Sequence, residues 1–77
     1  MIKVIIGTNT NRQEILVDPH TTIRRVLEEN NIDYGVGNVH LDGLSIPSQD
    51  LDKTFLEKGI KEKCMLIIVA KANGGLV

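Results

Sequence analysis

The hydrophobic residues near the start of the chain alternate with polar ones in short runs, a pattern typical of β-strands. Residues 2–6 read I-K-V-I-I, and a period of two places on one face Ile2, Val4 and Ile6. Residues 7–13 are rich in turn formers and lead into a second apolar run at residues 15–17. We therefore predict that the first two strands form a hairpin.

A helical spacing replaces this alternation after Asp18-Pro19, where proline ends the strand because it cannot donate a ladder hydrogen bond. Thr22 is a common N-cap type, and the spacing i, i+3, i+4 follows it at Ile23, Val26 and Leu27. This pattern predicts one helix with a single apolar face. Its polar face has the spacing for two ion pairs on a solvated surface, Arg24–Glu28 and Arg25–Glu29.

A second hairpin is predicted at residues 39–46, where two apolar runs flank Asp42-Gly43, a strong signal for a two-residue turn. Cross-strand pairing places His40 opposite Ser45, and on the other face Val39, Leu41, Leu44 and Ile46. Residues 48–63 mix charges with apolar anchors, which are Leu51, Phe55, Leu56 and Ile60. The run at residues 64–70 is apolar enough to be a central strand.

This order of elements predicts an α+β fold, with a mixed sheet of four to five strands and one main helix packed across it. A chain of 77 residues has room for one small core. We predict one domain at residues 1–72, followed at residues 73–77 by a flexible tail that contains Gly74 and Gly75.

Composition and charge exclude several function classes. Nine basic and ten acidic residues are interleaved, and Tyr34 and Phe55 are the only aromatic residues, so neither a basic patch nor a stacking platform for nucleic acid is expected. The single cysteine, Cys64, rules out an intrachain disulfide and a cysteine-based metal cluster. Neither a signal-peptide pattern nor a long apolar run is present, so we expect a cytoplasmic protein without a membrane partner.

The sequence contains no recognisable catalytic group. A nucleophile–base pair, a phosphate loop and a ligand cluster are all missing, so neither enzyme activity nor a cofactor is expected. One histidine and three acidic residues could suggest a metal site, but their spacing matches no metal motif. They are His20, Asp50, Asp52 and Glu57. Cys64 falls on the inward side of the last strand, where a buried and unreactive thiol is expected.

Two motifs resemble the ubiquitin-like β-grasp superfamily, and their order spans almost the whole chain. Residues 17–23, V-D-P-H-T-T-I, are similar to ubiquitin's valine-glutamate-proline-x-x-threonine-isoleucine junction, and residues 54–60, T-F-L-E-K-G-I, to its threonine-leucine segment. The last strand is followed by Gly74-Gly75, as in ubiquitin. The small sulfur carriers of thiamine and molybdopterin synthesis share this fold and ending, and residues 41–47 resemble theirs equally well. Both branches stay open.

The resemblance implies a non-enzymatic protein whose Gly75 carboxylate is adenylated by an activating enzyme, with Gly74 giving clearance. This chain continues with Leu76 and Val77, so a peptidase would first have to remove them. It also lacks the arginines that precede ubiquitin's glycines and has only Lys71 as a cation there. The alternative is a non-catalytic interaction module with no tail chemistry.

The resemblance also implies that partners bind the sheet face that the helix leaves uncovered. If strands one, five and three are neighbours, this face carries Ile5, His40, Ile67 and Val69, together with Leu16 and Met65. Relative to ubiquitin's main patch, the isoleucine and histidine at His40 and Ile67 are exchanged. A contiguous exposed apolar surface is typical of an interface, so we expect a protein partner or a second copy to bind there.

Overall fold

The computed structural model describes residues 1–70, which form one five-stranded sheet and one α-helix. The elements in chain order are β1 (Ile2–Thr8), β2 (Arg12–Val17), α1 (Ile23–Glu29), β3 (Gly37–Leu41), β4 (Leu44–Ile46) and β5 (Lys63–Ala70). Short 3₁₀ turns lie at Tyr34–Val36 and Ser48–Asp52. Residues 71–77, and with them the predicted Gly74-Gly75 tail, lie outside the described residues. No helix in the described part is long and apolar enough to cross a membrane.

The sheet has the strand order β2-β1-β5-β3-β4. β1 and β5 are parallel, whereas the other neighbouring pairs are antiparallel, so the sheet is mixed as predicted. The first two strands form the expected hairpin, and the predicted central position of β5 between β1 and β3 is confirmed.

The helix begins and packs as its sequence predicts. The side-chain oxygen of Thr22 accepts a hydrogen bond from the backbone N–H of Arg25 at 3.2 Å, which satisfies one free donor of the first turn. Its apolar face is buried against the sheet through Ile23, Val26 and Leu27. The same core includes the alternate inward residues of β1 and β5, which are Ile2, Val4, Ile6, Cys64, Leu66 and Ile68.

The hairpin between β3 and β4 has the predicted register, with His40 opposite Ser45 and Val39 opposite Ile46. Its two turn residues, Asp42 and Gly43, have φ angles of 52° and 86°. Both angles are positive, which is the requirement of the turn that matches the twist of a β-hairpin.

Arg24 has a different partner from the predicted Glu28. Its Nε donates to Asp52 Oδ1 at 2.8 Å, and its guanidinium lies 5.5 Å from the centre of the Tyr34 ring. Glu28 instead accepts a hydrogen bond from the Tyr34 hydroxyl at 2.8 Å. The predicted Arg24–Glu28 pair is therefore wrong, because helical spacing carries no information about carboxylates that the fold brings in from a distant turn. The second predicted pair, Arg25–Glu29, forms at 3.0 Å.

The segment between β4 and β5 is anchored by three of its four predicted apolar residues, which are Leu51, Phe55 and Ile60. The fourth, Leu56, is 51% exposed, so its prediction as an anchor is wrong. The backbone N–H of Phe55 donates to the Thr21 carbonyl at 3.3 Å, and that of Leu56 donates to the Pro19 carbonyl at 2.9 Å. These bonds hold the segment against the start of α1, with the Phe55 side chain in the core and the Leu56 side chain toward solvent.

Candidate functional site

The sheet face opposite α1, which we call the open face, collects all the predicted partner-binding residues. Ile5 of β1 and Met65 of β5 are register partners across the parallel pair. His40 of β3 is the register partner of Ile67 across the antiparallel pair, and Val69 lies two residues further along β5. The structure therefore brings Ile5, His40, Ile67 and Val69 onto one surface.

This surface is less exposed than the sequence pattern suggests. Ile67 is only 7% exposed, whereas Ile5, His40, Met65 and Val69 are half-buried and Leu16 on the outer strand is 67% exposed. Ile67 lies in the central strand, where its register partners are Gly7 of β1 and His40 of β3, and Met65 and Val69 stand on either side of it along β5. The prediction of a continuous exposed apolar surface is therefore wrong. The apolar residues form the bottom of a depression, and polar residues surround it.

A hollow of about 400 Å³, which we call the central hollow, lies over Ile67. Its apolar lining comes from Met65, Ile67 and Val69, and its polar rim includes Arg12, His40 and Asp42. A small apolar depression with a polar rim is the arrangement found at the centre of protein interfaces, where one anchoring side chain is enclosed.

The Arg12 side of this rim is built by the connection between β1 and β2. The Thr8 N–H donates to the Asn11 carbonyl at 2.8 Å, and Arg12 Nε donates to the Thr8 carbonyl at 3.3 Å. Asn9 in the same connection also lines the central hollow. Neither Asn9 nor Arg12 was predictable from the sequence, because the turn formers indicate a turn but not the direction in which it folds.

Asp42 links the β3–β4 turn to the middle of β5. Its Oδ1 accepts a hydrogen bond from the Met65 N–H at 2.9 Å, while its own N–H donates to the Met65 carbonyl at 2.9 Å. The sequence indicated Asp42 only as a turn residue, and the strand order could not be read from that local signal.

A second depression of about 290 Å³, which we call the lysine hollow, adjoins the central hollow. It is lined by Lys3, Ile5, Asp42, Lys63, Cys64 and Met65. Asp42 and Met65 line both hollows, so they form the boundary between them. Alternation along the strands predicted Ile5 and Met65 on this face but neither lysine.

Cys64 is buried, and its side chain belongs to the core on the helix side of the sheet, although the residue also lines the lysine hollow. Burial, with a smaller contribution from the charge of Asp42, raises the pKa of the Cys64 thiol to about 11. Because the thiolate is the nucleophilic form, the thiol is unreactive at neutral pH, in agreement with the prediction from its strand position.

Of the three acidic residues considered as metal ligands, Asp50 and Asp52 form ion pairs, and Glu57 accepts a hydrogen bond from the Thr54 N–H at 2.8 Å. Asp50 lies 2.9 Å from Lys58, whose hydrogen bond lowers the pKa of the Asp50 carboxyl, and Asp52 pairs with Arg24. His20 pairs instead with its neighbour Asp18 at 3.2 Å. Over residues 1–70, no cluster of histidine, cysteine and acidic side chains has an arrangement that could hold a metal ion.

Comparison of the sequence with family models and with curated proteins finds no match. Among solved structures, the chain is similar to a ubiquitin-like protein from Trypanosoma brucei, with 25% identity and a TM-score of 0.70, covering 92% of this chain and 95% of that one. A ubiquitin-like protein from the hyperthermophilic archaeon Caldiarchaeum subterraneum shares the fold at 14% identity and a TM-score of 0.51, covering 95% and 97% of the two chains.

The similarity to the trypanosomal protein extends over almost the full length of both chains, so it includes the sheet, the helix and the connections between them. The expected architecture, a mixed sheet with one helix packed across it, is also present and has five strands. With this architecture and this likeness, the chain belongs to the ubiquitin-like β-grasp superfamily.

Proposed function

We propose that this ubiquitin-like protein is a substrate of other enzymes, a protein modifier or sulfur carrier, and not an enzyme itself. A peptidase removes Leu76-Val77, and an activating enzyme then uses the carboxylate of Gly75. The observation that carries this proposal is the position of Gly74-Gly75 in the sequence, shortly after the central strand β5, which ends at Ala70. The likeness to a ubiquitin-like protein over almost the whole chain supports it.

The proposed chemistry explains why the two residues after the glycines matter. In the chain that continues to Val77, the carbonyl of Gly75 belongs to the peptide bond with Leu76, so Gly75 has no free carboxylate to act as a nucleophile. After hydrolysis, a carboxylate oxygen attacks the α-phosphorus of ATP and pyrophosphate leaves. A thiolate then displaces AMP from the acyl adenylate to give a thioester, or a hydrosulfide ion displaces AMP to give a thiocarboxylate. Glycine suits this position because the absence of a Cβ lets the chain enter a narrow channel.

The intact mass of the protein isolated from its native cell tests this proposal. We expect a chain that ends at Gly75, accompanied by a form in which sulfur replaces one oxygen or by an adduct to an amine of another protein. A matched variant with Gly74 and Gly75 replaced by alanine should yield neither product. Recovery of only the chain that ends at Val77 would contradict the proposal.

A second candidate function is a non-catalytic interaction module, and the central hollow favours it. This hollow combines an apolar floor at Ile67 with half-buried Val69 and a polar rim, and these features lie entirely within the described residues. In this function the open face binds a protein partner or a second copy of the chain, without chemistry at the tail.

Replacing Val69 with aspartate should separate the two candidates. Val69 is half-buried at the hollow, whereas Ile67 is too buried to be charged without damage to the fold. We expect Val69→Asp to reduce partner recovery from the native cell about tenfold, the loss expected for an anchoring contact. Leu56→Asp, which charges an exposed leucine that lines neither hollow, is the control. Unchanged recovery with a folded Val69→Asp protein would exclude this function.

A further inference from the structure

Two lysines lie side by side on the open face. Lys3 of β1 and Lys63 of β5 are register partners in the parallel pair, and neighbouring strands are about 4.8 Å apart. Both side chains therefore extend from one small area of the sheet. Like charges on adjacent strands disfavour the folded state. The stability of the fold therefore does not explain why two lysines are paired here.

The acidic groups of the chain neutralise this pair only in part. Lys3 Nζ lies 3.6 Å from Glu14 Oε2, a long ion pair between two half-exposed side chains on the β2 side. Among residues 1–70, no carboxylate lies within ion-pair distance of Lys63. Asp42 also lines this hollow, but its carboxylate accepts from the Met65 N–H and forms no ion pair with either lysine. Within residues 1–70 the Lys63 ammonium is therefore left without an ion-pair partner, and its charge favours an anion.

An apolar surface lies directly beside this charge. Ile5 and Met65 are half-buried and follow the two lysines by two residues on their strands, so they share the same face. All four side chains line the lysine hollow. Methionine adapts its shape to different apolar groups, which suits a site that receives a side chain from another molecule.

We propose that the lysine hollow binds a protein segment that carries a carboxylate next to an apolar side chain. The apolar side chain lies on Ile5 and Met65, and the carboxylate lies between Lys3 and Lys63, where it relieves their repulsion. Asp42, which is hydrogen-bonded to the Met65 backbone on the rim, repels a carboxylate and so sets the direction of the segment. This inference rests on the open-face interaction proposed above and not on the chemistry of Gly75.

The distribution of charge favours a protein segment over an anionic lipid surface. A membrane surface attracts a broad cationic region, whereas the open face also carries Glu14 and Asp42 close to the lysines. The lysine hollow holds about 290 Å³, a volume suited to a side chain. The positive charge and the apolar floor are thus confined to one small depression.

The test is a titration of the full 77-residue chain with a short synthetic peptide, followed by the backbone amide signals in NMR. The peptide carries two adjacent glutamates followed by leucine. We expect shifts at Ile5, Lys63 and Met65, and about tenfold weaker binding when glutamine replaces the glutamates or serine replaces the leucine. Raising the salt concentration should also weaken binding, since the lysines are exposed to solvent.

Lys63→Glu should weaken binding about tenfold, whereas Lys61→Glu should change it less than about twofold. Lys61→Glu changes the net charge by the same amount, but Lys61 is an exposed lysine that does not line the hollow. Thermal melting checks that each variant is folded, and Lys63→Gln replaces Lys63→Glu if that variant is not. The proposal fails if the peptide shifts no residue of the hollow, if the two lysine variants bind equally, or if only phosphatidylserine vesicles bind. None of these results depends on whether Gly75 is activated.

Discussion

Replacing Phe55 with alanine is expected to reduce the free energy of unfolding by about 3–5 kcal/mol. Phe55 is 0% exposed and belongs to the core beside Leu51 and Ile60. Its backbone is held to the Thr21 carbonyl, so the surrounding chain cannot easily collapse into the space that the ring leaves. Since small domains are stable by only about 5–15 kcal/mol, this loss is a large share of the total.

Denaturant unfolding followed by circular dichroism measures this effect, and the next residue in the chain supplies the control. Leu56→Ala removes an apolar side chain that is 51% exposed, so we expect a loss below about 1 kcal/mol. Equal losses for the two variants would mean that Phe55 does not anchor the segment between β4 and β5.

Replacing Gly7 with alanine is expected to cost at least about 3 kcal/mol, because positive-φ strain and a backbone collision act together. Gly7 has a φ of +150°, and a Cβ there would lie 1.9 Å from the carbonyl oxygen of Asn11. That oxygen accepts the Thr8 N–H at 2.8 Å, so the turn would have to open to make room. The change would also displace Arg12, on the rim of the central hollow.

Gly43→Ala is the matched control, because Gly43 also has a positive φ, +86°, but no atom within 4 Å of an added Cβ. We expect a cost of about 1–2 kcal/mol from the backbone conformation alone. Denaturant unfolding gives both values, and the amide signals of Arg12 and Ile67 report the displaced rim. If Gly7→Ala cost no more than Gly43→Ala, the close contact with Asn11 would have no energetic consequence.

Much of the fold follows from local patterns in the sequence. The alternation at residues 2–6 and the apolar run at residues 64–70 predicted strands, Thr22 predicted the start of the helix, and Asp42-Gly43 predicted a hairpin with the observed register. These signals work because capping and turn geometry depend on residues close together in the chain.

The candidate site was predictable only in part. Alternation assigned Ile5, His40, Ile67 and Val69 to one face, since side chains on a strand change sides at every residue. It did not predict that Ile67 is covered, nor that Lys3 and Lys63 are neighbours. Both properties depend on which strands lie side by side, and a parallel pair joins segments that are about sixty residues apart.

The sequence by itself determined the strands, the helix, the likeness to ubiquitin and the position of Gly74-Gly75 after the last strand. The tertiary structure alone decided the Arg24–Asp52 pair, the burial of Ile67 and the two hollows of the open face. The physical reason is the range of the interactions. Periodicity and turn chemistry act within a few residues, whereas exposure and charge pairing depend on side chains that meet only when the sheet has formed.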